Sequence, residues 1–236
     1  MASMGVSATS DTTPRPDQVL GLAIERSYQA FAHHQVGRSM VVRRGDIAAD
    51  EIAALGGPVR SVPAAAIDRW LPHAVTTWGT AEDLRALLPR VCELLTAGLL
   101  TTPPEVVFAK VRQSDSADWP LDEVAAFDDI VSALWLATLT RHPAAIGHPA
   151  MRVLAAIAEL GHELSPYLDD WLLLVAAQGV GEPARSHLVD LARRVQHLRD
   201  AGIGVDGLFW SPRPDEAHRL ELWITSPVVT PHLAQH

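Results

Sequence analysis

The chain has 236 residues, a formal net charge of -9 at pH 7 and a single cysteine, Cys92. This length allows one large domain or two small ones with a substantial core. The negative charge disfavours a nucleic acid as partner, because binding to phosphates needs a basic surface. The lone cysteine excludes a disulfide framework and a cysteine-ligated zinc site, and it favours a reducing cytoplasm as the location.

Residues 1–16 are small, polar and proline-containing, which predicts a disordered N-terminal tail without the features of a signal peptide. The longest apolar runs, 130–139 and 171–177, are far shorter than the roughly 20 residues of a membrane span. We therefore expect no membrane partner. Residues 17–236 are predicted to form a single helical domain, with a weak division near 140–148.

Apolar residues recur at helical spacing through most of the chain. The pattern predicts helices over about 17–33, 47–55, 63–78, 80–97, 103–113, 118–138, 149–160, 166–178, 183–200, 214–225 and 227–235. Strict alternation long enough for a sheet is absent, and 208–210 is predicted to be a short extended piece. The fold class is all-α, either an irregular multi-helix bundle or a short HEAT-like stack of helical pairs.

The stretch 70–95 contains two tryptophans, a helix start and a leucine stripe with a proline inside it. Pro72 is expected to kink or split the helix over 63–78. Thr80 is the predicted N-cap of the next helix, and Asp83 at the third position completes an acidic variant of the capping box. Pro89 should bend that helix, and Gly98 should end it.

Four short motifs follow one another in this stretch: Thr77-Trp78-Gly79, Asp83-Leu84, Leu87-Leu88-Pro89-Arg90 and Glu93-Leu94. Together they resemble a family of bacterial all-helical proteins with no established activity. The similarity continues through Glu105-Val106-Val107, Lys110, Trp119-Pro120, Glu123 and Ala133-Leu134-Trp135, and it fades beyond about residue 140. Members often carry a cysteine cluster upstream of the Trp-Gly pair. Residues 33–60 contain no cysteine, so a metal or redox role of that cluster does not carry over.

Six residues are candidates for binding a partner: Trp70, Trp78, Asp83, Arg90, Glu93 and Trp135. Arg90 and Glu93 lie three residues apart after the proline, on a surface near Trp78 and Asp83. Tryptophan and arginine are favoured anchors of binding hot spots. In the alternative interpretation, Arg90 pairs internally with Glu93 or Asp83 and fixes the helix packing.

Two patterns contain metal-ligand residue types, yet we predict neither a metal nor a cofactor. Glu159 and His162 have the spacing of di-iron bundles, but Gly161 should end the helix and leave His162 in a loop. His33 and His34 are adjacent, and neighbouring side chains point in different directions on a helix. We expect them at a helix C-terminus, where positive charge is favourable, rather than as joint ligands.

The sequence contains no motif of high specificity for a nucleophile, a phosphate loop or a dinucleotide site. Our leading hypothesis is a non-catalytic helical module that binds a partner protein through a groove near residues 78–93, with an immunity- or antitoxin-like role as one form. The alternative is an enzyme or small-molecule-binding protein with a Trp-lined pocket around Trp70, Trp78 and Trp135. The arginines of the helix over 183–200 offer either a solvated, internally paired face or a contact for an acidic partner. A homo-oligomer is compatible with the sequence.

Overall fold

The computed structural model describes residues 15–37, 40, 49–143, 148–177, 181–209 and 213–233. Within these ranges the chain forms eleven α-helices and no strand, so the all-α fold class is confirmed. Most of the predicted N-terminal tail lies outside the described residues, as do residues 144–147 of the predicted division near 140–148. That division stays a prediction.

The helices follow the predicted order, with short 3-10 turns between some of them. They are α1 (Pro16–Ala30), α2 (Ala49–Leu55), α3 (Ala64–Trp70), α4 (Ala81–Thr96), α5 (Pro104–Gln113), α6 (Leu121–Thr140), α7 (Ala150–Leu160), α8 (Ser165–Ala176), α9 (Glu182–Asp200), α10 (Pro214–Ile224) and α11 (Thr230–Leu233). Among the described helices, none combines the length and the apolar character that a crossing of a membrane requires.

Helix α6 lies at the centre of the packing and contacts α1, α7, α8 and α9. Helix α1 lies along α6, although about 100 residues separate them, and α5 lies along α7. In a HEAT-like stack each helical pair contacts only its neighbours in sequence. The structure is therefore a multi-helix bundle, in which one buried cluster includes residues from Leu20 to Val229.

Both ends of α4 have the predicted caps. The Asp83 backbone N–H donates to Thr80 Oγ1 (3.3 Å), and the Thr80 backbone N–H donates to Asp83 Oδ2 (2.8 Å). These reciprocal bonds satisfy two donors that a helix start leaves free. At the other end Gly98 has a φ of 68°, and the next N–H donates to the carbonyl of Leu94 (2.9 Å).

The predicted split at Pro72 is confirmed, but the prediction that the helix continues to Trp78 is wrong beyond Trp70. The α-helix ends there, and a 3-10 turn over Leu71–His73 follows because Pro72 has no N–H to continue the α-helical pattern. Val75 then takes a left-handed backbone conformation, with a φ of 67°. The chain consequently turns back on itself, and Trp78 comes beside Trp70 rather than two turns further along the same helix.

The prediction of an extended piece at 208–210 is also wrong for its first residue. A 3-10 turn covers Val205–Leu208, Phe209 is extended, and Trp210 lies outside the described residues. Cys92 is fully buried in α4, and burial raises the pKa of its thiol to about 12. A thiol so far from ionisation is a poor nucleophile, which agrees with its predicted role as a small core residue.

Candidate functional site

The three tryptophans among the predicted binding residues are core residues. Trp70, Trp135 and Trp78 are exposed by 0%, 1% and 3%. The Trp70 indole N–H donates to the carbonyl of Trp78 (3.1 Å), whereas that of Trp135 donates to the carbonyl of Tyr167 (3.0 Å). Trp135 also packs edge-on against Trp171 of α8, with ring centroids 5.4 Å apart. The indoles of Trp70 and Trp135 thus hold neighbouring segments together, whereas the buried Trp78 indole N–H has no hydrogen-bond partner among the described residues. A pocket lined by the three tryptophans stays a prediction.

Asp83 is buried and holds the connection after α1 against α4. Its Oδ1 accepts a hydrogen bond from the backbone N–H of Gly37 (2.8 Å), while Oδ2 accepts the hydroxyl of Thr80 (2.9 Å) as well as its N–H. Gly79 adopts a φ of 84° beside this carboxylate, so a larger side chain there would be strained. Asp83 is therefore occupied by contacts within the chain.

Arg90 and Glu93 pair with each other, as the alternative interpretation predicted. Arg90 Nη1 lies 2.7 Å from Glu93 Oε2, and its Nε donates to the carbonyl of Val62 (3.0 Å). The same Glu93 oxygen accepts the Tyr28 hydroxyl of α1 (2.6 Å). Burial opposes the ionisation of Glu93, but the hydrogen bonds from Tyr28 and Arg90 outweigh it and lower its pKa. A binding role for this pair stays a prediction.

A second polar cluster lies where the chain leaves α1, and sequence reasoning missed it. The imidazoles of His33 and His34 face each other with centroids 4.0 Å apart. Their Nε2 atoms lie 3.1 Å and 2.7 Å from the same oxygen, Oε1 of Glu123. One ligand atom from each of the three residues falls within 4.8 Å of the others, which is a geometry that could hold a metal ion.

The prediction that these histidines do not converge is wrong, and the reason is local. Helix α1 ends at Ala30, and residues 31–33 form a turn, so the rule for adjacent side chains on a helix does not apply to His33 and His34. Their common partner, Glu123, is the third residue of α6 and lies 89 residues after His34. The only sequence signal was the coincidence of a His-His pair near a helix end with an acidic residue in a distant helix start.

Two further charged residues of α4 complete this cluster. Glu82 Oε1 lies 2.5 Å from His34 Nδ1, and Glu82 Oε2 lies 3.1 Å from Arg85. Glu123 is fully buried in the first turn of α6. Among the described residues, its Oε2 has no hydrogen-bond partner, and the nearest guanidinium nitrogen, Arg85 Nη1, is 3.9 Å away.

The other metal-like pattern and two arginines of α9 have partners within the chain. Gly161 ends α7 with a φ of 89°, and His162 lies in the following loop, 3.1 Å from the Tyr167 hydroxyl, as expected. Glu159 is buried within 3.3 Å of Arg213 rather than beside His162. On α9, Arg193 pairs with Asp190 at 3.2 Å and Arg199 pairs with Glu221 at 2.9 Å. These pairs favour the solvated, internally paired face.

An open groove of about 640 Å³ lies between α1, α6 and α8. Its lining is mostly apolar and comprises Val19, Leu22, Ala23, Arg26, Asp129, Ser132, Ala133, Leu136, Asp170, Leu173 and Leu174. Leu22 and Leu173 are exposed by 62% and 71%. Arg26 and Asp129 form an ion pair of 2.8 Å at its edge. Leu22 and Leu173 therefore leave part of the apolar lining of the groove open to solvent.

A smaller cavity of about 480 Å³ contains Lys110, the single lysine of the sequence. This residue is 7% exposed, and burial lowers the pKa of its amine. Its Nζ lies 3.4 Å from the Thr76 hydroxyl. On the opposite wall the Asp68 carboxylate accepts the backbone N–H groups of Thr101 and Thr102 at 2.9–3.0 Å. The cavity therefore offers one cation to a small ligand.

No family model, curated protein or solved structure matches this chain. The resemblance of the motifs in 77–94 to a bacterial helical family stays an expectation from the sequence. A proposal for the function of this chain therefore rests on the contacts, burial and charges described above.

Proposed function

We propose that this protein is a non-catalytic helical module that binds a partner protein, and that the partner lies in the groove between α1, α6 and α8. The observation that carries the proposal is the exposure of Leu22 and Leu173 on opposite walls of one apolar groove. Burying a leucine side chain contributes about 1.5–3 kcal/mol. A partner that covers both leucines therefore gains affinity that isolated apolar residues on a surface do not provide.

The groove replaces the segment 78–93 as the proposed contact surface. The polar side chains of that segment already have partners within the chain, and its one tryptophan, Trp78, is buried, so a partner would have to displace native contacts there. The groove has walls from three helices and needs no such displacement. This shape fits an amphipathic helix that places apolar residues at positions i, i+3 or i+4, and i+7 along the groove.

Charge adds a requirement on the partner. The groove lining contains two aspartates, Asp129 and Asp170, and one arginine, Arg26, which pairs with Asp129, so the lining keeps an excess of negative charge in a chain with a net charge of -9. Basic residues beside the apolar stripe of a partner helix would meet this field and associate faster at low salt. An immunity- or antitoxin-like role is one form of such a function, because it requires surface complementarity and no reacting groups.

The test uses the full chain with a photo-crosslinking amino acid in place of Leu22 or Leu173, expressed in its native host. We expect a discrete protein adduct from both positions after irradiation. A second chain in which both leucines are changed to Asp should lose the same protein in an affinity purification. It should keep the helical content and melting temperature of the wild type, since both side chains are exposed.

Leu121→Asp provides the matched control, because Leu121 is 87% exposed and is absent from the groove lining. This variant should retain the partner. Equal retention of the partner by the Leu22/Leu173 double variant and the control would contradict the proposal. So would crosslinks from position 121 that match those from the groove positions.

A small-molecule-binding function is the second candidate, and the cavity at Lys110 favours it. A buried amine with a single hydroxyl near it gains from an anionic ligand that neutralises it. Native mass spectrometry of protein purified from its host would show a bound small molecule if this candidate holds. Lys110→Met keeps the length of the side chain and should abolish that mass increment, whereas Arg112→Met on the same helix should not.

A further inference from the structure

We propose that His33, His34 and Glu123 bind one divalent transition-metal ion. Zinc holds nitrogen and oxygen ligands at about 2.0–2.2 Å in tetrahedral geometry, which places neighbouring ligand atoms roughly 3.3–3.6 Å apart. The two Nε2–Oε1 distances are 2.7 Å and 3.1 Å, and all three groups offer a ligand atom within 4.8 Å of the others. Both distances are shorter than this spacing, so the side chains have to move apart by roughly 0.2–0.9 Å when the ion binds.

Glu82 supports this assignment from behind His34. Because Glu82 lies 2.5 Å from Nδ1, the proton of a neutral His34 imidazole belongs on Nδ1. The lone pair is then on Nε2, which faces Glu123. A carboxylate on the outer nitrogen of a histidine is the usual arrangement around metal-ligating imidazoles, where it fixes the ring and raises its basicity. Arg85 in turn holds the other Glu82 oxygen at 3.1 Å.

Hydrogen bonds within the chain account for this cluster less completely than an ion does. The contacts of His33 and His34 both end on Oε1 of Glu123 and leave its Oε2 buried without a hydrogen bond among the described residues. An unsatisfied buried carboxylate oxygen is costly. A cation interacts favourably with both oxygens and with the nitrogen lone pairs that the two imidazoles offer to it. The two carboxylates, Glu82 and Glu123, outnumber the one guanidinium, Arg85, around the imidazoles, so the local charge also favours a cation.

The ligand types indicate which ions the site prefers, and the exposure of His33 indicates how an ion enters it. Imidazole with carboxylate suits zinc, iron, cobalt or nickel, whereas calcium and magnesium prefer oxygen ligands only. The His33 side chain is 60% exposed, so an ion can enter from solvent and keep a water molecule as a further ligand. The ion joins the turn after α1 to the start of α6. Its binding does not depend on the proposed partner protein.

The experiment uses the full chain, freed of metal with a chelator and titrated with zinc chloride by calorimetry and with cobalt chloride by visible absorption. We expect one ion for each chain and the absorption bands of cobalt with nitrogen and oxygen ligands. His33→Ala and Glu123→Gln should each weaken binding on the order of 100-fold or more. His33→Ala is the decisive variant because its exposed side chain is not needed for folding.

His73→Ala and His197→Ala are the controls, since both histidines are exposed elsewhere on the surface and should leave the affinity unchanged. Weak binding that falls equally in the controls and in His33→Ala would reveal adventitious surface histidines and overturn the proposal. The absence of saturable binding to the wild-type chain would overturn it as well. Because His33→Ala is compared with folded controls, the test remains conclusive even if the Glu123→Gln variant misfolds.

Discussion

Two polar clusters hold α1 against its neighbours, and they differ in the balance of donors and acceptors. At Tyr28, Glu93 receives the tyrosine hydroxyl and the Arg90 guanidinium, so its carboxylate is satisfied by the chain itself. At His34, the histidine nitrogens face carboxylates on both sides, and within the described part of the chain Oε2 of Glu123 has no hydrogen-bond donor. The first cluster is complete as a structural contact. The second leaves a buried carboxylate oxygen without such a donor, which is why we propose it as a metal site.

The largest expected effect tests whether the segment over 78–93, which contains Arg90 and Glu93 of the first cluster, has a purely structural role. Trp78→Ala should lower the free energy of unfolding by about 3–5 kcal/mol, because the indole is buried and its removal leaves a cavity. Urea denaturation monitored by circular dichroism measures this change. Leu121→Ala, at an exposed site, should change it by less than about 0.5 kcal/mol. A loss of that small size for Trp78→Ala would show that the segment is open to a partner.

The next effect separates the two clusters by their response to metal. An ion present at 100 times its dissociation constant stabilises the folded state by about 2.7 kcal/mol. Saturating zinc should therefore raise the melting temperature of the wild-type chain and of Glu93→Gln, but not that of His33→Ala. Differential scanning calorimetry with and without a chelator measures the shift. An equal shift in all three chains would remove the distinction between the clusters.

A smaller effect measures the hydrogen bond that closes the first cluster. Tyr28→Phe removes the hydroxyl that Glu93 accepts at 2.6 Å but leaves the ring under the Arg60 guanidinium, 3.7 Å from the ring centroid. We expect a loss of about 1 kcal/mol, because Glu93 retains Arg90 and is partly open to water. The double variant with Glu93→Gln should lose less than the sum of the single variants, since both report one contact. Additive losses would mean that the two side chains act independently.

The smallest effect is a dependence on pH. The pKa of Glu93 in the folded chain lies below its usual value of 4.5. Its contribution to stability is therefore fully present above about pH 4.5 and is lost as the pH falls through the folded-state pKa. The stability difference between the wild type and Glu93→Gln should shrink over that acidic range. A difference that grows as the pH falls would mean that burial dominates and that the pKa is raised instead.

The sequence predicted most helices and one pair of caps because these depend on residues close together in the chain. The leucine stripe of α4, Thr80 and Gly98 each act within a few residues of their partners. The helix over 63–78 was predicted too long because apolar residues continue at helical spacing past Pro72, whereas the α-helix itself ends at Trp70. The relation of His34 to Glu123 depends on how α1 packs along α6, which local spacing does not contain. The groove is likewise formed by three helices that are remote in sequence.

The burial of Lys110 has a practical consequence for any search for a partner. Most protein crosslinkers react with amines, and this chain offers one lysine side chain, which is 7% exposed. Amine-reactive reagents will therefore join few complexes through side chains, even at an interface that forms tightly. Reagents that activate carboxylates have Asp129 and Asp170 within reach at the groove. A failed amine crosslink would therefore reflect the lack of an exposed lysine and would not count against a partner. A carboxylate crosslink is the informative experiment.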